Sequence, residues 1–442
     1  MPGGLLTDLY ELTMVTSYLR RGMTAPATFS LFVRELPARR GFLVAAGVDA
    51  CLDLLEGFSF EQADLDYLGS IGFSDHDLLS LAPLRFDGDV VAVEEGRIVT
   101  AGEPILEVTA PLPVAQLVET MLLNQITLHA TIASKAARYR IAADGRSLVD
   151  FSMRRTHGFE AADAVARASA MVGFEATSNV SAARTFDLAV VGTMAHSYVQ
   201  AFPSEEQAFR TFAQDHPDRA TFLVDTFETL VGVRAAIRVI DELGLGQRAA
   251  IRIDSGDLDA LSRQVRQALD AAGLPAVRIV VSGGLTEEHV QALVQAGAPI
   301  DAFGIGTHLG VAADAPSIDS VYKLVELEGR PILKLSEGKE TTPGRKQVWR
   351  AGTAEDLLGL RDEAARAGAE PLLLPAMTGG HRVRGAATLA EARSRFEADL
   401  EDLPSGCKDL GDPQPLRVGT SPALDELTTR ARAEIHARAG DG

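Results

Sequence analysis

The densest chemistry in the chain lies in Arg252-Ile-Asp254-Ser-Gly-Asp257, at the end of a β-branched run that opens at Ala250. Side chains two apart on a strand point to the same side, so Arg252 and Asp254 share a face. Ser255-Gly256 turns the chain, and residues 258–272 follow with helical periodicity. A guanidinium beside two carboxylates at a strand mouth admits two readings. In one, Asp254 caps the helix and Asp257 sits in its first turn, where the helix dipole favours acids. In the other, the carboxylates hold a sugar hydroxyl or a metal ion while Arg252 holds an anion.

The elements that must position these groups repeat. Short apolar runs at 148–151, 173–176, 188–192, 221–224, 250–253, 278–281 and 302–305 read as strands. Helical segments at 161–172, 195–202, 226–243, 258–272 and 287–295 separate most of them. Near-continuously apolar strands alternating with helices imply an α/β fold with a parallel sheet buried on both faces. Seven or eight such units favour a (β/α) barrel over an open dinucleotide-binding sheet, and no G-x-G-x-x-G follows the first strand. Polar residues stand just after each strand: Arg154-Arg155, Thr177-Ser178-Asn179, His196, Asp225, Ser282-Gly283-Gly284 and Gly304-Ile-Gly306-Thr307. Parallel strands would bring all of them to one C-terminal face. Caps and turns explain any one of these residues, but poorly explain arginines and a histidine at the same position in the repeat. The glycine pairs let backbone N–H groups approach a phosphate closely. His196 is either structural or a base, an anion ligand or a nucleophile toward phosphate. The zinc-protease, serine-hydrolase and P-loop motifs are all absent.

The flanks differ. Residues 1–143 read as an α/β domain, with a helix from about residue 9, a strand ending at Arg34, and a helical linker from 114 that carries Lys135 and Arg138 three apart on one face. Residues 144–320 form the barrel. Residues 321–442 begin with a hairpin around Glu328-Gly-Arg, pass through a basic loop at 337–346, and end in accessory helices. Lys323 and Lys334 on the flanking strands, and Lys346, make that loop an anion-facing candidate. The formal net charge of −19 argues against non-specific nucleic-acid or membrane binding. Two distant cysteines form neither a disulfide framework nor a metal cluster, and no signal-like or spanning apolar run occurs. A cytoplasmic protein is expected.

Taken together, Leu6-Thr-Asp-Leu-Tyr10-Glu-Leu-Thr13, Phe151-x-x-Arg154-Arg155, Thr177-Ser178-Asn-Val180, Gly192-Thr-Met-Ala-His196, Arg252-x-Asp254-Ser-Gly-Asp257 and Thr342-Pro-Gly-x-Lys346-Gln-Val-Trp-Arg350 resemble nicotinate phosphoribosyltransferases. The resemblance runs from residue 5 to about 350. It implies a type II phosphoribosyltransferase barrel with an N-terminal α/β domain and C-terminal additions, assembled as a homodimer with the site at the interface. It implies that nicotinate and phosphoribosyl pyrophosphate give nicotinate mononucleotide and pyrophosphate in NAD salvage, coupled to ATP hydrolysis and requiring Mg²⁺ through ligands the sequence leaves open. On this resemblance His196 becomes a phosphohistidine, and Tyr10 of the partner copy and Phe151 sandwich the pyridine. Arg154 and Arg252 serve carboxylate and phosphates, and Asp254 binds the ribose. Asp257, Gly283, Gly284, Gly304, Gly306 and Thr307 join the substrate site, while Arg34, Lys135, Arg138, Lys323, Lys334 and Lys346 are its phosphate or ATP cations. The alternatives are a nicotinamide phosphoribosyltransferase, whose members carry aspartate at the position of Ser178, and a non-catalytic phosphosugar-binding sensor.

Ser178 therefore generates a prediction. Ser178→Asp places a second carboxylate beside that of nicotinate, and two like charges about 4 Å apart at an effective dielectric near 20 repel by roughly 4 kcal/mol before relaxation. Turnover of nicotinate by the variant should fall at least about tenfold, since relaxation returns only part of that energy. Unchanged nicotinate kinetics would remove position 178 from the substrate's carboxylate.

Overall fold

The computed structural model describes residues 3–336, 340–352, 355–364 and 366–440. The start of the basic loop, 337–339, therefore lies outside the described residues. The chain divides into two compact units, one formed by Met1–Ser134 with Ser317–Gly442, the other by Lys135–Pro316. The first and third parts read from the sequence are thus one body, because strands from both ends of the chain share a sheet. Pro26–Val33 pairs antiparallel with Pro104–Pro111 on one side and Ser320–Leu327 on the other. Asp89–Val93 pairs with Leu373–Thr378. The ring of Phe29 stacks on that of Tyr322 at 4.7 Å, and a wide apolar core lies beneath. The hairpin after Ser320–Leu327 turns through Glu328 and Gly329, both at positive φ, the geometry that matches strand twist in a two-residue turn.

The second unit carries seven parallel strands: β1 (Ser147–Asp150), β2 (Ala176–Thr177), β3 (Ala189–Val190), β4 (Thr221–Leu223), β5 (Ala250–Ile253), β6 (Arg278–Val281) and β7 (Ala302–Ile305). Their spatial order is β3-β2-β1-β7-β6-β5-β4. That is the cyclic order of a (β/α) barrel, with the ring open at a single seam, between β3 and β4. Five strands read from the sequence fall within one residue of their observed bounds, and β2 and β3 are shorter than expected. Helices Phe159–Met171, Thr229–Glu242, Leu258–Ala271 and Glu287–Gln295 occupy the predicted intervals. Gly232 lets the second of these pack directly on the backbone of Val224, where a Cβ would collide with the carbonyl oxygen. No described helix is long and apolar enough to cross a membrane.

The helix Leu9–Arg20 of the first unit sets two neighbours in opposite environments. Tyr10 is exposed, while the Glu11 side chain is fully buried. Glu11 accepts from the hydroxyls of Thr7 and Thr120, the latter at 2.7 Å. Burial nevertheless pushes its carboxyl up to about 7, with Glu119 adding repulsion. A carboxyl whose folded pKa is raised binds its proton more tightly in the native state, so stability is full below about 4.5 and is lost as pH rises through about 7. Denaturant unfolding of Glu11→Gln against the parent protein should show the variant gaining relative stability across that window and a constant difference above it. A difference independent of pH would show that Glu11 is ionised throughout.

Candidate active site

A cleft of about 490 Å³ opens at the C-terminal ends of the parallel strands, and Phe151, Arg154, Ser178, His196, Arg252 and Asp254 line it. Six residues read from sequence at four separate strand ends thus stand around one space. Arg252 on β5 is in register with Leu223 of β4 and Val280 of β6, in the inner part of the sheet. Its guanidinium donates in three directions: Nε to Ser282 Oγ at 2.8 Å, Nη1 to Thr193 Oγ1 at 2.8 Å, and Nη2 to Asp254 Oδ1 at 2.6 Å. Ser282 in turn donates to Asp254. Burial works against the Asp254 carboxylate, but the Ser282 hydrogen bond and the Arg252 charge outweigh it and hold its pKa below the usual range. The Arg252 guanidinium also lies 5.5 Å from the centre of the Phe151 ring, within cation–π reach.

Phe151 and Ser178 are fixed from below by Asp150. This carboxylate is buried at the end of β1 and accepts from Ser152 N at 2.8 Å and Thr177 Oγ1 at 2.7 Å. Burial raises its pKa despite those bonds. Its carbonyl accepts from Ser178 N at 2.8 Å, so the loops after β1 and β2 are joined through one residue. Asn179 caps Val180–Phe186 through Ala182 N. His196 opens the short helix His196–Gln200 and is half-buried, with Nδ1 3.1 Å from Thr226 Oγ1. Arg154 stands exposed at the cleft and has no ion-pair partner among the described residues, so its charge faces the space directly.

The acids of the opening motif divide the two readings between them. Asp257 is the helix cap, accepting from Ala260 N at 3.1 Å, and stands outside the cleft, which corrects its expected place in the substrate site. Asp254 faces Arg252 instead. The glycines after β6 and β7 serve clearance. Gly283 (φ +94°) presses so closely on the carbonyl of Asp254 that no Cβ fits, and a Cβ on Gly304 would stand 2.5 Å from the Phe151 ring. Gly284, Gly306 and Thr307 do not line the cleft.

The expected phosphate cations fare differently. Lys135 and Arg138 are buried in ion pairs with Glu287, at 2.5 Å and 2.7 Å, so they are committed inside the second unit rather than presented to a phosphate. Lys346 is buried too, with its ammonium on the carbonyls of Thr342 and Gly344 and 3.3 Å from Glu107. Arg34 lies 3.4 Å from Asp319, Lys323 lies 3.7 Å from Glu119, and Lys334 is exposed, all in the first unit with Tyr10. Thr193 and Thr226 were not singled out as site residues in the sequence, because hydroxyls are common and gain meaning only through a partner, whereas Ser282 stood among the strand-end residues. Asp225 stood among the strand-end residues, and it now accepts from Asp254 N at 3.0 Å and Ser255 Oγ at 2.6 Å.

Fold and cleft define an α/β protein of the (β/α)-barrel kind, with its cationic, acidic and aromatic groups gathered at the C-terminal strand ends. Family models agree along most of the chain: the nicotinate phosphoribosyltransferase N-terminal domain over residues 5–127, the nicotinate phosphoribosyltransferase family over 146–364, and its C-terminal domain over 360–428. The chain is 46% identical over 415 residues to nicotinate phosphoribosyltransferase pncB2 of Mycobacterium tuberculosis, covering 93% of this chain and 89% of that one. It is 42% identical over 356 residues to the Bacillus subtilis nicotinate phosphoribosyltransferase, covering 78% and 72%. The crystal structure of human nicotinic acid phosphoribosyltransferase superposes with a TM-score of 0.85 at 29% identity, covering 96% of this chain and all of that one. The chain belongs to the nicotinate phosphoribosyltransferase family.

Arg252→Lys tests the geometry at the centre of the cleft. An ammonium is a point charge and cannot span Ser282, Thr193 and Asp254 from one plane. The variant should fold, yet its KM for the diphosphate-bearing substrate should rise at least about tenfold, as for loss of a charge-assisted hydrogen bond. A parental KM would show that the guanidinium only closes the sheet mouth.

Proposed function

We propose that this chain transfers the phosphoribosyl group of phosphoribosyl pyrophosphate to nicotinate, releasing pyrophosphate and forming nicotinate mononucleotide for NAD salvage. The observation that carries the reading is the convergence of an ionised acid, Asp254, a trebly held guanidinium, Arg252, and an aromatic wall, Phe151, in one cleft with the exposed Arg154. Displacement at the ribose carbon builds positive charge on the sugar and negative charge on the diphosphate. Asp254 stabilises the first and Arg252 the second, both already fixed before the reaction. Phe151 offers a flat face to the pyridine, Arg154 a counter-charge to its carboxylate, and Ser178 a neutral neighbour that does not repel it. Tyr10, exposed on Leu9–Arg20, would complete the ring sandwich from a second copy in a homodimer. Cys51 and Cys407 are both buried and unbridged, in keeping with a cytoplasmic enzyme.

Mg²⁺ would be held by Asp225 and Asp254. Asp225 Oδ1 is buried without a hydrogen-bond partner, which leaves one acceptor for a cation. Among the described residues no group of three or more His, Cys, Asp or Glu forms a cage, which suits an ion that keeps waters and substrate phosphates as its other ligands. When bound, the ion neutralises charge on the diphosphate.

ATP coupling is assigned to His196. Its Nδ1 faces Thr226, which leaves Nε2 as the nitrogen free to accept a phosphoryl group. A phosphohistidine would add negative charge beside Arg252, linking ATP use to substrate binding. His196→Asn should abolish ATP hydrolysis and ATP stimulation while leaving slow, ATP-independent transfer. Incubation with γ-labelled ATP should place acid-labile, base-stable label on the parent protein only. Equal labelling of both proteins would overturn the assignment.

A further inference from the structure

The second unit holds a group of buried charges that the proposed reaction does not use. Lys135 and Arg138 project from the helix Glu119–Ala143, with 3% and 5% of their side chains exposed, onto Glu287, which is 1% exposed. Asp314 lies 2.8 Å from the Lys135 ammonium and Glu288 lies 3.6 Å from Arg138, so two cations meet three acids. A buried ion cluster of this kind contributes little to stability over an apolar replacement of the same volume, because desolvation offsets most of the attraction. Its distinctive property is directional. It fixes where the carboxylate of Glu287 must stand.

Glu287 is the first residue of Glu287–Gln295, and Thr286 caps that helix through His289 N. From the same face of the long helix, the hydroxyl of Tyr139 donates to the carbonyl of Leu285 at 2.9 Å, and the Lys135 ammonium lies 5.4 Å over the Tyr139 ring. The chain is therefore held at residues 285 and 287, immediately after the Ser282-Gly283-Gly284 turn. That turn bears directly on the cleft. Ser282 Oγ joins Arg252 Nε to Asp254, and Gly283 abuts the Asp254 carbonyl. Only two residues separate the anchor at Leu285 from Ser282, and both, Gly283 and Gly284, are at positive φ with little stiffness of their own.

We infer that Lys135, Arg138, Glu287 and Tyr139 are positioning residues for the phosphoribosyl pyrophosphate end of the site, acting through the 282–285 turn on Arg252 and Asp254. The inference rests on the phosphoribosyl-transfer reading above. It separates the two substrates: loosening the anchor disturbs the Arg252–Ser282–Asp254 relay and leaves Phe151 and Ser178, which are tied to Asp150, in place.

The test uses Tyr139→Phe, which removes one hydroxyl and keeps the ring, and Lys135→Met as a second variant, both in the full chain. Steady-state kinetics with phosphoribosyl pyrophosphate and nicotinate should show the KM for the former rising about fivefold in Tyr139→Phe, the factor of one ordinary hydrogen bond. The KM for nicotinate should stay within about twofold, as for a site left intact. Amide exchange read by mass spectrometry should accelerate in 282–287 and not in Leu258–Ala271. Lowered thermal stability with both KM values and the 282–287 exchange unchanged would overturn the inference, since a merely structural cluster behaves that way. If Lys135→Met fails to fold, Tyr139→Phe alone decides. A parent protein that makes no nicotinate mononucleotide would instead defeat the functional reading, and the exchange of 282–287 would then judge the anchor by itself.

Discussion

A guanidinium with 12% of its side chain exposed has lost most of its water, and every N–H it retains must find an acceptor. At Arg252 this constraint recruits one residue from each of three strand ends: Thr193 after β3, Asp254 after β5 and Ser282 after β6. The recruitment in turn fixes the charge state of Asp254, because an acid that accepts from both Arg252 and Ser282 is held ionised against its own burial. It also fixes the backbone. Asp254 N is bound to Asp225 after β4, so four consecutive strand ends in the ring are cross-tied around one cation. The seam between β3 and β4 carries no ladder hydrogen bonds, yet Arg252 bonds the loop after β3 while its neighbour Asp254 bonds that after β4. The site stitches its own sheet where the ladder stops.

Much of this was legible because it is local. The strands β5, β6 and β7 announce themselves as short, mostly apolar runs between turn signals, interrupted only by Arg252 and Arg278, and the parallel arrangement follows from the helices that separate them. Convergence at the C-terminal face then needs no further information. The division of labour between Asp254 and Asp257 could not be read in the same way. Both are acids beside a helix start, and either residue type can cap. What decides is that Asp254 shares Arg252's face of the strand, whereas Asp257 stands one turn later, where Ala260 N is waiting.

The misassigned cations show the complementary limit. Lys135 and Arg138 have the spacing of a helical anion site, and Lys346 ends a basic loop, but composition does not tell a cation that waits for a ligand from one already neutralised. Their partners, Glu287 and Glu107, lie about 150 and 240 residues away in the chain. The joining of the chain's two ends was hidden for the same reason. Pro26–Val33 reads as an ordinary alternating strand, and nothing local records that Ser320–Leu327 lies along its edge. Strand pairing across some 300 residues is decided by which apolar faces remain uncovered, a property of the whole fold.

The glycines mark where a correct observation about sequence meets a different physical cause. Gly283 and Gly304 were read as backbone that could approach a phosphate, since lack of a side chain permits close approach. The structure spends that freedom on protein atoms. Gly283 gives room to the Asp254 carbonyl, and Gly304 to the Phe151 ring. The two clearances act on the two halves of the cleft: one lets the acid come forward to Arg252, the other lets the ring lie back against β7, where Phe151 N also bonds Ile305 O at 2.7 Å. An alanine at Gly304 would force the Phe151 ring to move from its place in the cleft without touching any charge. The place of the aromatic wall thus depends on an absent methyl group, which is why neither a catalogue of charged residues nor one of aromatic residues could have located it.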